Sequence, residues 1–439
     1  MRDTAENINI ERKKAIGLFG AVSIGVGGMI GAGIFSVLGL AAQIAGNAMY
    51  LAFLTAGIVA FLSTYSFAKL GVRYPSAGGP VEFLIKGFGD SILSGGLNIL
   101  LWIGYIFALC LYSRAFAGYA TTFLPSGASR FWINIFSTGI IIVFTAINII
   151  GSKAVGKSEV FIVGIKVLIL IAFASIGVFF IKPSLLSFSN FPHVSNIFFA
   201  SGIVFLAYEG FGLITNAADD MVNPGKTLPR ALYLSVLICI AIYLAVSLTV
   251  IGNLPVSKIV EAKDYALAMA ARPFLGVVGF KVIAVAALFS TSSAINATLY
   301  GGANVSYMIA KEGELPAFFE RKLWRENREG LFITAGLVIF FTNLLNLDGI
   351  AMLGSASFLI IYCAVNFAHL RLYKETGANP YLIWSSIFGC IFSFVVLIYY
   401  EIKNSPKTII VLVSVLALSF LTECIYRKYS SRNLTADNE

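Results

Sequence analysis

The chain has 439 residues, of which 58% are hydrophobic and 12% charged, a balance that cannot cover two or three soluble domains with polar surface and excludes a water-soluble enzyme. Its net charge of +9 is scattered between apolar runs, without the aromatic-interleaved patch of a single-strand binder, so no nucleic-acid partner is expected. Cys110, Cys239, Cys363, Cys390 and Cys424 stand singly in or beside apolar runs, and His193 and His369 lie in separate segments, so neither a disulfide framework nor a metal centre is expected.

Residues 1–15 are polar and charged and read as a cytoplasmic segment with no cleavable signal peptide. Apolar runs then follow at 16–44, 49–70, 92–124, 131–150, 158–181, 196–215, 228–251, 275–310, 331–345, 350–372, 381–400 and 408–426, before a polar tail at 427–439. A membrane crossing needs about 20 apolar residues. The pattern therefore predicts an all-α integral membrane protein with twelve transmembrane helices. With the amino terminus in the cytoplasm, 21 of the 31 lysines and arginines fall on the cytoplasmic side and 8 outside, while Arg114 and Lys166 sit within helices. By the positive-inside rule both termini are expected in the cytoplasm, with the chain in the cell membrane.

The first and sixth runs carry the same interruption. The first contains Gly25-Val-Gly27-Gly28-Met-Ile-Gly31-Ala-Gly33-Ile, and the sixth Tyr208-Glu209-Gly210-Phe211-Gly212-Leu213. An odd number of crossings separates them, so the second copy enters the membrane upside down. Matched broken helices in two such halves point to a transporter built from inverted repeats, with its substrate site where the breaks meet. The competing reading makes these glycines close-packing contacts between helices. Breaks at Gly31 and Gly33 would free backbone amides that suit a carboxylate, and unwound carbonyls of the sixth run would suit an ammonium group. One site offering both receives a zwitterion, and an α-amino acid is the natural substrate.

Lys166 lies eight residues into the fifth run, about 12 Å deep at 1.5 Å per residue, near the middle of a hydrocarbon core about 30 Å thick. Its stem is too short to bring the ammonium back to water, so the group needs a partner or must give up its proton. Glu209, inside the sixth-run break, is expected either to meet a cationic substrate or the proton cycle, or to stand solvated in a vestibule. Arg114, near the outer end of its run, reads as structural. Ser292 and Ser293 say little alone, since serine in a membrane helix usually bonds locally.

Five segments in order, Met29-Ile-Gly-Ala-Gly-Ile-Phe35, Tyr74-Pro-Ser-Ala-Gly-Gly-Pro80, Gly151-Ser-Lys-Ala-Val-Gly156, Asn223-Pro-Gly-Lys-Thr-Leu-Pro-Arg-Ala231 and Ser292-Ser-Ala-Ile-Asn-Ala-Thr-Leu-Tyr-Gly-Gly302, resemble the amino acid-polyamine-organocation (APC) superfamily of permeases, and most of all its proton-coupled amino-acid permeases. The resemblance implies a five-plus-five inverted repeat of the LeuT-like fold, with 16–181 as the first repeat, 196–374 as the second and 381–426 as two added helices. It also implies that the substrate is held by Ile30, Gly31, Ala32 and Gly33 together with Phe205, Tyr208, Glu209 and Gly210, its carboxylate on amides near Ala32 and Gly33 and its amine on carbonyls near Tyr208. Lys166 would replace a coupling sodium ion, its ammonium on the Gly27 carbonyl and the hydroxyl of Ser292 or Ser293, with protons as the coupling ion and no cofactor. Glu209 departs from the small or apolar residue expected there, which raises cationic amino acids as a substrate. The expected function is proton-coupled amino-acid symport by alternating access; a sodium symporter, an amino-acid exchanger and, further off, a channel are the alternatives. Membrane lipid is the surrounding partner, and nothing requires more than a monomer.

Overall fold

The computed structural model of the chain describes residues 16–125, 129–150, 155–187, 191–320, 322–324 and 327–429, of which the side chains of 32, 150, 155–159, 317, 320, 322–324, 327–328 and 429 are left undescribed. The 1–15 segment, residues 151–154 of the fifth-run motif and the tail from residue 430 lie outside the described residues.

Apolar runs become helices because a backbone in hydrocarbon must satisfy its own polar groups. In chain order the helices are α1 (Leu18–Ala45), α2 (Met49–Arg73), α3 (Pro80–Phe88), α4 (Ile92–Thr121), α5 (Arg130–Ile150), α6 (Val155–Gly177), α7 (Val194–Val204), α8 (Gly212–Thr215), α9 (Pro224–Asn253), α10 (Val256–Glu261), α11 (Ala266–Lys311), α12 (Glu329–Leu344), α13 (Leu347–Thr376), α14 (Pro380–Asn404) and α15 (Pro406–Tyr429). Ten stretches are long and apolar enough to cross a membrane; one of them, Leu18–Arg73, contains both α1 and α2, and α12 is a shorter apolar helix. One departure from an all-helical chain is a two-stranded antiparallel ribbon, β1 (Lys322–Trp324) and β2 (Asn327–Arg328), in the α11–α12 connection.

Local chemistry sets the ends. Ser91 caps α4 reciprocally with Ser94, Asn346 accepts from Gly349 N at the start of α13, and Gly377 closes α13 in the left-handed region at φ 59°. Within α11, Gly276 has φ 63° and ψ −155°, so a short leading helix meets a long one there; the eighth apolar run begins one residue earlier.

α1 is the axis of the bundle. It packs against α6, α7, α9 and α11, and its residues from Gly25 onward are nearly all buried. α14 and α15 flank the bundle and expose large apolar side chains, with Tyr381 82%, Phe388 71% and Ile410 67% exposed; a surface of that kind belongs in lipid. Two backbone bonds, Ile16 N to Asp220 O (3.1 Å) and Val222 N to Ile16 O (2.9 Å), tie the start of α1 to the segment after α8.

Candidate functional site

The sixth run changes geometry where its glycines lie. After α7 the chain tightens into a 3-10 helix over Phe205–Phe211, seven residues long, and resumes as α8. Runs of 3-10 geometry beyond three or four residues are uncommon and mark strain or a hinge. Tyr208, Glu209 and Gly210 all lie in this tightened segment, as does Phe205, and all four are buried.

The first run does not mirror it. α1 is continuous from Leu18 to Ala45, so the break expected at Gly31–Gly33 is absent and the amides of Gly31, Ala32 and Gly33 remain in helical backbone. The glycines serve close approach instead. A β-carbon on Gly210 would lie 2.5 Å from the carbonyl carbon of Gly28, and one on Gly28 would lie 3.1 Å from Gly210 Cα, so the two segments touch backbone to backbone. At Gly31 a β-carbon would come within 2.6 Å of Ala294 Cβ on α11, and at Gly33 within 2.8 Å of Ala207 O. Small residues that let helices approach are the packing device of membrane bundles, the competing reading of the same pattern.

The carbonyls along this part of α1 accept side-chain donors from three helices. Lys166, on α6 and 2% exposed, donates from Nζ to Gly27 O at 2.9 Å. Tyr243 on α9 reaches Met29 O at 2.6 Å and Ala207 O at 3.0 Å, one hydroxyl shared between α1 and the 3-10 segment. Ser290 on α11 donates to Ile30 O at 3.3 Å. In a low-dielectric core such donors hold the carbonyls in place, and each buried hydroxyl or ammonium needs a partner of this kind.

Ser292 and Ser293 do not supply the hydroxyl expected beside Lys166. Ser293 Oγ is buried without a hydrogen-bond partner, and Ser290, not Ser292 or Ser293, bonds to α1. The reason is helical phase: Ser290 and Ala294 are four residues apart and share the face on α1, Ser292 lies on the opposite side of the helix, and Ser293 is turned about 60° from Ser290 and about 100° from Ala294, to the side of that contact.

Glu209 departs from the solvated expectation, and its Oε2 is buried without a hydrogen-bond partner among the described residues. It is 1% exposed, so it is not solvated, and its carboxylate turns toward α4, where Tyr112 donates to Oε1 at 2.7 Å. Its own backbone carbonyl accepts from Tyr362 of α13 at 2.5 Å. Tyr208 faces the other way, donating to Phe53 O on α2 at 2.9 Å. The 3-10 segment is thus held by three tyrosines from outside it, Tyr112, Tyr243 and Tyr362, none of which the sequence reading selected. The available signal was a phenol inside an apolar run, a hydroxyl that must find an acceptor.

A helical bundle whose polar groups converge on one glycine-rich axis, with an apolar outer surface, is a multi-pass membrane protein with an internal site. The chain belongs to the amino acid permease family, whose profile matches residues 16–420. It is 43% identical to an uncharacterized protein of Methanocaldococcus jannaschii, over 97% of this chain and 98% of that one. It is 36% identical to the inner membrane transport protein YbaT of Escherichia coli (94% and 97%) and 25% identical to the methylthioribose transporter of Bacillus subtilis (82% and 82%). It is a transporter and not an enzyme, and its family supports amino-acid transport.

Proposed function

We propose that this chain imports amino acids together with protons, by alternating access across the cell membrane, with twelve crossings and both termini in the cytoplasm. The ten long apolar stretches support that count once Leu18–Arg73 is divided into α1 and α2 and the shorter α12 is added. Residues 16–181 and 196–374 form two inverted repeats, and their contact at Gly28 and Gly210 is the axis on which access alternates.

The observation that carries this reading is the buried ammonium of Lys166 on the Gly27 carbonyl, at the junction of α6 with the glycine-rich part of α1. Holding a proton, Lys166 cross-links the two helices through a charge-assisted bond; releasing it leaves a neutral amine that donates without the strengthening charge, so each protonation state favours a different packing. The substrate carboxylate is received when α1 opens at Gly31–Gly33, and its amine by carbonyls of the 3-10 segment near Tyr208. With Glu209 Oε1 engaged by Tyr112 and the carboxylate turned toward α4, neutral amino acids are the first substrates to test, and the buried Oε2, which has no hydrogen-bond partner among the described residues, is the atom a cationic one would have to reach.

The test is uptake by purified protein in liposomes. Labelled alanine or leucine should accumulate when the exterior is made acidic, without sodium, and Lys166→Ala should lose accumulation while still binding substrate. Accumulation that follows a sodium gradient at constant pH, or that requires an internal amino acid, would replace proton symport with a sodium symporter or an exchanger.

A further inference from the structure

Away from the axis, a cavity of about 550 Å3 opens between the end of α4 and the starts of α5, α13 and α15. Three cationic side chains line it: Arg114 on α4, Arg130 at the first position of α5 and Lys407 in the first turn of α15. No acidic residue is among the lining. Arg114 and Arg130 lie close enough for their like charges to act on each other, an arrangement that raises the energy of the folded chain unless an anion offsets it.

The acids nearby offset it only in part, Asp264 favouring the Arg114 charge more than Arg130 opposes it while no acid pairs with Arg130 or Lys407 among the described residues. Asp348, in the first turn of α13, is engaged by Lys263, whose Nζ lies 2.7 Å from Oδ1. Asp264 acts on Arg114 but stands outside the cavity wall. Among the described residues, the Arg114 guanidinium makes one hydrogen bond, Nη1 to Thr342 O at 3.3 Å, and Arg130 and Lys407 form no ion pair. Three long helices also begin here, and their positive dipole ends favour an anion nearby, although Asn346 already accepts from Gly349 N at the start of α13 and Ser129 Oγ from Trp132 N at the start of α5. Apolar walls, Ile133, Leu353 and Val411 among them, lead from the cationic rim into the bundle.

We propose that this cavity binds a phosphate-type anionic group, borne either by a phospholipid headgroup or by a free anion. The rim lies at helix ends, where lipid phosphates sit, and the cationic trio with a low-dielectric wall focuses negative charge. Two guanidinium groups suit the paired oxygens of a phosphate, and Lys407 adds a third, mobile charge.

The experiment uses the full chain purified in a neutral detergent and follows its unfolding temperature during titration with dioctanoyl phosphatidylglycerol, dioctanoyl phosphatidylcholine or inorganic phosphate. Phosphatidylglycerol should stabilise the protein saturably and more strongly than the net-neutral phosphatidylcholine. Arg130→Gln combined with Lys407→Gln should weaken that binding by about tenfold, and Arg130→Lys with Lys407→Arg, which keeps both charges, should retain it and thereby exclude misfolding as the cause. A response to phosphatidylglycerol alone assigns the site to lipid, and a response to inorganic phosphate at similar concentration assigns it to free anions. Equal responses to both lipids with none to phosphate, or undiminished binding by the glutamine double variant, would overturn the proposal.

Discussion

Gly210 and Glu209 are neighbours with opposite duties. Gly210 meets the backbone of Gly28, which cannot retreat as a flexible side chain would, so Gly210→Ala should force the two segments apart and lower the unfolding temperature, with uptake lost even where folding survives. Overpacking of this kind costs about 1–3 kcal/mol. An unchanged melting curve would mean that the contact is not tight. Glu209 offers an acceptor to Tyr112, a role that glutamine's amide oxygen can also fill. Glu209→Gln should therefore alter alanine and lysine transport by similar factors in a competition assay. A selective loss of lysine uptake would bring cationic substrates back.

At the scale of helices, the shared hydroxyl of Tyr243 makes a definite expectation. It lies against both α1 and the 3-10 segment, so Tyr243→Phe should loosen one from the other while leaving the ring packed against Phe53 and Tyr208. The loss should be about 1 kcal/mol of stability together with a larger fall in transport, read from melting and uptake on the same preparation. Helix positions were legible in the sequence because each crossing needs its own apolar run. Gly276 broke α11 one residue after the eighth run begins, and the 3-10 turn fell on the Tyr208-Glu-Gly motif. The short α3 and α10 were not, since nine and six residues carry too little periodicity to stand out. Nor could the sequence separate unwinding from close packing at Gly25–Gly33: both need glycine, and only the surface of the partner helix tells them apart. The phase of α11 against α1, which chose Ser290 over Ser292 and Ser293, depends on a rotation that no local pattern encodes.

Across the whole molecule, acidic groups gather at the end of the bundle where α4 begins. Glu314, in the connection after α11, accepts from Asn98 Nδ2 at 2.6 Å. Burial, together with the charges of Glu423, Glu312 and Asp90, pushes its carboxyl up to about 8, against the opposing pull of the Asn98 bond. The folded chain therefore keeps a proton there that the unfolded chain gives up near the ordinary carboxylate range, so stability is greatest in acid and declines as pH rises toward about 8. Melting temperatures taken from pH 5 to 8 should show that decline, and Glu314→Gln should flatten it; a slope that persists in the variant would assign the effect to another group. At the other end of the bundle, Lys263 and Asp348 join the α10–α11 connection to α13, and Lys263 backbone packs on Gly39 of α1. The pair is partly exposed, so a double-mutant cycle should give a coupling no larger than about 1 kcal/mol, weakening in high salt. A coupling several times larger would mark it as a lock between the α10–α11 connection and α13.

The parallel bridge at Ile16 and Met221 has a different character, because peptide groups make it and side chains do not. Amino-acid replacement can tune a charge or a ring, but it leaves the main-chain donor and acceptor in place wherever proline is avoided. Whatever motion parts the residues leading into α1 from the segment beyond α8 must therefore undo a fastening common to every variant of the chain, and its strength changes with solvent access and temperature more than with mutation.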